Sequence, residues 1–217
     1  MTPSPTVRLS NAVVFSNGFP LLSGVDLELA GSSLNVVTGA NGAGKTSLLR
    51  LLAGLVPLSS GEGSVCQIDL RSGDLRQLRR RVGWLGHEGS FYAELSVTEN
   101  LRFCAAALSR PTSDIDAALE RVGLGARANT ITKQLSAGQR RRLALAWLLL
   151  RRAELWLLDE PYASLDDQGR EFFDGLLGEV THAGATVVVS AHDPLRSAAV
   201  PVRTINLAGG RVQQDSG

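Results

Sequence analysis

The chain has 217 residues, 44% hydrophobic and 20% charged, which suits one large globular domain and excludes a disordered chain. Its formal net charge is only +1, which speaks against a nucleic-acid binder working through bulk electrostatics. Its two cysteines, Cys66 and Cys104, lie outside any Cys-x-x-Cys pairing and read as small hydrophobes in a reducing compartment rather than metal ligands.

The N-terminus, MTPSPTVRLS, carries no apolar core of a secretory signal. Residues 7–14 and 25–30 read as strands of an antiparallel β part; the second alternates apolar and polar as VDLELA. Leu34 to Val37 is a short apolar strand running into a Gly-rich turn, and residues 44–55 form a helix stopped by Pro57. Residues 82–86 are another short strand, and helical patterns then occupy about 97–107, 114–122 and 139–151. The run LALAWLLL, Leu143 to Leu150, is flanked by arginines on both sides. A membrane span needs about 20 apolar residues, so this run predicts a buried helix, and any membrane link must come through a partner. A buried strand at 154–159, a helix at 167–182, a strand at 185–190 and a strand pair at 203–207 and 211–214 complete the order. His182, near the end of its helix, reads as a surface residue. Strands alternate with helices at both ends while the middle is mostly helical. The expected fold is therefore α/β: a mostly parallel core, about 1–87 and 139–217, with a helical subdomain at about 88–138 inserted in a single domain.

Between the strand at 34–37 and its helix lies Gly39-Ala40-Asn41-Gly42-Ala43-Gly44-Lys45-Thr46-Ser47. This satisfies the P-loop pattern GxxxxGK[ST] in the strand-loop-helix setting it requires. Glycines let successive N–H groups converge on phosphate oxygens, and the helix aims its positive dipole end at the same anions. Lys45 brings a cation to the β- and γ-phosphates, and the Thr46 hydroxyl suits a Mg²⁺ ligand. The plain alternative is a Gly-rich turn that starts a helix.

A second strand, Leu155-Trp156-Leu157-Leu158, ends in Asp159 and Glu160. Open α/β sheets bind ligands at the carboxyl ends of their strands, so both acids are expected to meet the P-loop ligand. Asp159 suits the Mg²⁺ role, through water, and Glu160 the polarising of the attacking water. A strand that merely ends in solvated acids is the plain alternative.

Leu135-Ser136-Ala137-Gly138-Gln139 precedes the helix at 139–151; Ser136 can cap it and Gly138 permits close backbone approach. The segment resembles the LSGGQ signature of ABC ATPases, with Ala137 in place of the first glycine. Ala163-Ser164-Leu165-Asp166 resembles that family's D-loop and His192 its switch histidine. The resemblance covers essentially the whole chain. It implies a P-loop NTPase core of the ABC type and a head-to-tail pair of subunits. ATP at one P-loop would be completed in trans by Ser136, Gly138 and Gln139 of the other copy. His192 would contact the γ-phosphate and hold Glu160. It implies an aromatic stacked on adenine, for which Phe15 is the first candidate and Phe19 the second.

The family usually carries Gln where this chain has His87, followed by Glu88. Imidazole suits softer metals and Mg²⁺ prefers oxygen, so His87 is expected to reach the water or a Mg²⁺-bound water, with Glu88 as another oxygen donor; alternatively His87 only orders its loop.

Trp84-Leu85-Gly86-His87, the run LSAGQRRRLALAWLLLRRAELWLLDEP and the compact C-terminus are similar to the ATP-binding subunits of haem exporters in cytochrome c maturation. Trp147, where such helices commonly carry Arg, is expected to pack inward. The resemblance implies ATP and Mg²⁺ as ligands. It also implies a separate membrane-spanning permease subunit contacted by the segment from His87 to Asn100, a second copy of the chain, and the cytoplasmic face of the bacterial inner membrane. Nothing in the chain suggests that it binds haem itself. Rival readings are an exporter ATPase for a drug, lipid or peptide, a non-transport ABC protein acting on ribosomes or DNA, and a nucleotide-binding scaffold without turnover. One P-loop and no heptad array count against the second. The run Arg76, Arg79, Arg80, Arg81 is more simply a solvated face, so no nucleic-acid partner is expected.

Overall fold

The computed structural model describes residues 6–16, 18–86, 91–162, 165–191 and 201–213. Near the N-terminus β1 (Val7–Ser16) and β2 (Phe19–Leu29) pair antiparallel. The ladder shifts register between Leu9 and Ala12, where Asn11 takes a φ of 47°. β4 (Ser60–Val65) joins β1, and β5 (Ile68–Asp69) joins β4, giving the order β2-β1-β4-β5. Cys66 and Gln67 connect the last two strands with φ of 49° and 59°, the doubly left-handed turn that matches the twist of a tight hairpin.

The second sheet contains β3 (Leu34–Thr38), β6 (Val82–Leu85), β7 (Leu155–Asp159), β8 (Thr186–Ser190), β9 (Val202–Ala208) and β10 (Arg211–Val212), in the order β10-β9-β3-β8-β7-β6. Every pair is parallel except β9 with β10. Its central strands β3, β8 and β7 are buried on both faces, so they read as near-continuous apolar runs. Along β7, Leu155 and Leu157 face one cluster and Trp156 and Leu158 the other. The first cluster holds the antiparallel sheet and α1 (Lys45–Leu52). α2 (Leu75–Arg81), capped by Asp74, contributes Leu78 to it. The second cluster packs α3 (Val97–Ala107), α4 (Ile115–Arg121), α5 (Ala137–Arg151) and α6 (Asp167–His182) on the opposite face.

α5 is buried along Leu143, Ala144, Leu145, Ala146, Leu148 and Leu150, as its apolar run predicts. Trp147 packs against the same core, with the Arg151 guanidinium 5.9 Å above its ring. Among the described residues no helix is long and apolar enough to cross a membrane. The hairpin β4–β5 and α2 go beyond the elements readable in the sequence, and the strand expected at 25–30 begins earlier, at Phe19. His182 is exposed at the end of α6, as expected.

Candidate active site

Parallel pairing brings the carboxyl ends of β3, β8 and β7 side by side, with Asp159 directly opposite Ser190. The P-loop leaves β3 and turns into α1 through Gly44, whose φ is 106°. Gly39 has φ 145°, and a Cβ there would drive into the Leu207 carbonyl, so the start of the loop has room for glycine alone. Gly210 donates its N–H to the Ala43 carbonyl at 3.0 Å, and Ser23 donates to the Gly210 carbonyl at 2.8 Å. The β9–β10 turn thereby ties the loop to β2.

A cleft of about 400 Å³ opens here, lined by Asn41, Gly42, Gly44, Lys45, Thr46, Ser47 and Glu160, with Pro20, Leu21, Ser23, Gly209 and Gly210. Lys45 is only 5% exposed. Its ammonium donates to the carbonyls of Gly39 at 2.7 Å and Ala40 at 3.2 Å, so the cation is held inside the curl of the loop. The Thr46 hydroxyl lies 2.9 Å and 3.2 Å from the two oxygens of Asp159. The loop hydroxyl and the strand carboxylate therefore form a set of hard oxygen donors that fits Mg²⁺.

Glu160 follows with φ 46°, a left-handed conformation costly for a residue with a Cβ. Its peptide is gripped on both sides. The N–H donates to Ser190 Oγ at 2.9 Å, and the carbonyl accepts from Arg141 Nη2 at 3.0 Å. Ser190 also donates to Asp159 Oδ1 at 2.6 Å and is fully buried. Arg141 reaches a second carbonyl, that of Gly86, at 2.9 Å. Burial lowers the Arg141 pKa, while the nearby Asp159 carboxylate pulls it up. Beyond Glu160, Tyr162 donates its hydroxyl to Asp174 on α6 at 2.5 Å; burial, with that carboxylate, pushes the phenol pKa up.

The predicted cap at Ser136 is present. Ser136 Oγ accepts from the Gln139 N–H at 3.2 Å, and Gln139 Oε1 accepts from the Ser136 N–H at 2.9 Å, a closed capping box. Among the described residues a Cβ at Gly138 would meet nothing nearer than Leu165 at 4.0 Å, so packing against those residues does not call for glycine there. Neither Ser136, Gly138 nor Gln139 lines the cleft. Phe15 is 51% exposed and stands opposite Pro20, a lining residue, while not itself lining the cleft; Phe19 is 75% exposed beside it. His87, Glu88, Ala163, Ser164 and His192 lie outside the described residues.

Ser190, Arg141 and the Gly209–Gly210 turn are site components absent from the sequence reading. Ser190 had one available signal, a polar residue closing the apolar run TVVV at a strand end. Ser190→Ala is expected to lower unfolding stability by about 1–3 kcal/mol, because it takes a buried partner from both the Glu160 N–H and Asp159. Urea denaturation checks this; an unchanged midpoint would contradict it.

This arrangement, a P-loop facing a strand-end acid pair with a capped LSAGQ segment elsewhere on the surface, agrees with comparison to known proteins. The ABC transporter family pattern matches residues 22–163, and the chain belongs to that family as an ATP-binding and ATP-hydrolysing subunit. Two relatives are similar over nearly their full length, both described as cytochrome c biogenesis ATP-binding export protein CcmA. That of Rhodopseudomonas palustris (strain BisB5) is 40% identical, over 86% of this chain and 91% of its own. That of Xanthomonas oryzae pv. oryzae (strain MAFF 311018) is 39% identical, over 93% and 92%. Among solved structures, the ATP-binding cassette MJ0796, dimeric in a post-hydrolysis state with ADP and Pi, superposes with a TM-score of 0.86 at 26% identity, covering 96% of this chain and 97% of that one.

Proposed function

We propose that this chain powers the export step of c-type cytochrome biogenesis, as the ATPase subunit of a haem-related transporter at the cytoplasmic face of a bacterial inner membrane. The observation that carries the reading is its similarity, over more than nine-tenths of their length, to the CcmA proteins. ATP binds in the P-loop cleft. The N–H groups from Asn41 to Ser47 and the Lys45 ammonium hold its phosphates, and Phe15 closes over the adenine. Thr46 and Asp159 would hold Mg²⁺, which would supply neutralisation of phosphate charge. Glu160 polarises the attacking water, with His192 and His87 beside it. Ser136, Gly138 and Gln139 of a second copy complete the site from across a head-to-tail dimer. The exposure of Ser136 and Ala137 and the open space at Gly138 among the described residues support that use.

The membrane-spanning partner docks on the inserted helical part at the segment from His87 to Asn100. Supporting this, Tyr92 and Phe103, each 53% exposed, form an edge-to-face pair 5.0 Å apart on the surface of that part, and large exposed aromatics suit an interface core.

The test is covalently attached haem c in the source cell with the gene deleted. Haem c is expected to vanish and to return with the wild-type gene. Unchanged haem c would leave the ATPase assignment standing and turn the substrate towards another exporter class.

A further inference from the structure

Glu160 is held in a conformation that a side chain disfavours, φ 46°, and such backbone persists only where its surroundings over-determine it. One grip is Ser190, on the neighbouring strand. The other comes from a different layer. Arg141 sits in the second turn of α5, five residues beyond the Ser136 cap, and its fork spans two strand ends that are adjacent in the sheet. Nη1 takes the Gly86 carbonyl just past β6, and Nη2 takes the Glu160 carbonyl just past β7. Gly86 is followed directly by His87. A guanidinium presents donors in a fixed planar fork, which a lysine ammonium cannot reproduce across two acceptors.

We propose that Arg141 is a positioning residue for hydrolysis, its guanidinium locking together the Gly86 and Glu160 carbonyls so that the Glu160 carboxylate is presented to the attacking water. The proposal rests on Glu160 as the group that polarises that water. It gives the signature helix a function within its own subunit, besides the one its first turn performs on the second copy.

The test is single-turnover hydrolysis of radiolabelled ATP by the purified full chain in excess, together with ATP affinity and melting temperature. Arg141→Met removes both donors; Arg141→Lys keeps the charge and can serve one carbonyl. Expected is a rate lowered by about tenfold or more in Arg141→Met, with affinity within about threefold of wild type. Arg141→Lys should fall between. Adding Arg141→Met to Glu160→Gln should slow the reaction no further, since both changes act on one group. A rate within twofold of wild type in Arg141→Met overturns the proposal, as does a rate that falls only in step with ATP affinity. If Arg141→Met does not fold, Arg141→Lys decides: a wild-type rate refutes the lock, and a slowed rate with retained affinity supports it. Turnover surviving in Glu160→Gln would instead remove the reading of Glu160 on which the lock depends. A dead Glu160→Gln beside a fully active Arg141→Met would remove the lock alone.

Discussion

Lys45→Ala is expected to weaken ATP binding on the order of 100-fold while leaving the chain folded. The ammonium is buried in the curl of the P-loop, bonded to the Gly39 and Ala40 carbonyls, and α1 begins at this residue. Charge-assisted hydrogen bonds contribute about 1.5–3 kcal/mol each, and about 1.4 kcal/mol is tenfold in affinity. One or two such bonds to phosphate oxygens account for the expected loss. Stability should change little, since alanine favours the first turn of α1. Isothermal titration with ATP and a thermal melt read the two effects separately. ATP affinity within threefold of wild type would contradict the placing of the phosphates in this loop. Melting at a much lower temperature would make the lysine a structural residue.

Glu160→Gln is expected to reduce turnover by about 10²–10⁴-fold with ATP affinity within about threefold. The substitution keeps the volume of the side chain and leaves the backbone bonds to Ser190 and Arg141 in place. What it removes is the charge proposed to draw a proton from water. A variant that hydrolysed ATP at the wild-type rate would transfer the role to another group near the γ-phosphate.

The site was legible in the sequence to the extent that its chemistry is local. A phosphate cradle needs consecutive N–H groups, so the stretch from Gly39 to Ser47 carries its whole pattern in nine residues. The acid pair is marked by its position at the end of an apolar strand, and the fold sets the Thr46 hydroxyl 2.9 Å from Asp159. The supports of Glu160 were not legible, because they are contacts between residues distant in the chain. Ser190 comes from 30 positions away and Arg141 from 19, and neither a serine nor an arginine in a basic run announces such a partner. The fold divides similarly. Long apolar elements such as α5 follow directly from their residues. The β4–β5 hairpin is hidden because Cys66 and Gln67 fill a left-handed turn that usually signals itself with Asn or Gly. α2 is hidden because it spans seven residues and buries only Leu78, too little for a helical period to show.

On the proposed mechanism the hydrolytic site is complete only between two copies of the chain, each supplying its LSAGQ segment to the P-loop of the other. The most direct measurement is the mass of Glu160→Gln in solution, by light scattering, with ATP and Mg²⁺ and again with ADP. Expected is twice the monomer mass with ATP and the monomer with ADP, the dimer being lost when Ser136 is also replaced by a bulky residue. A Glu160→Gln chain that binds ATP and stays monomeric would contradict it.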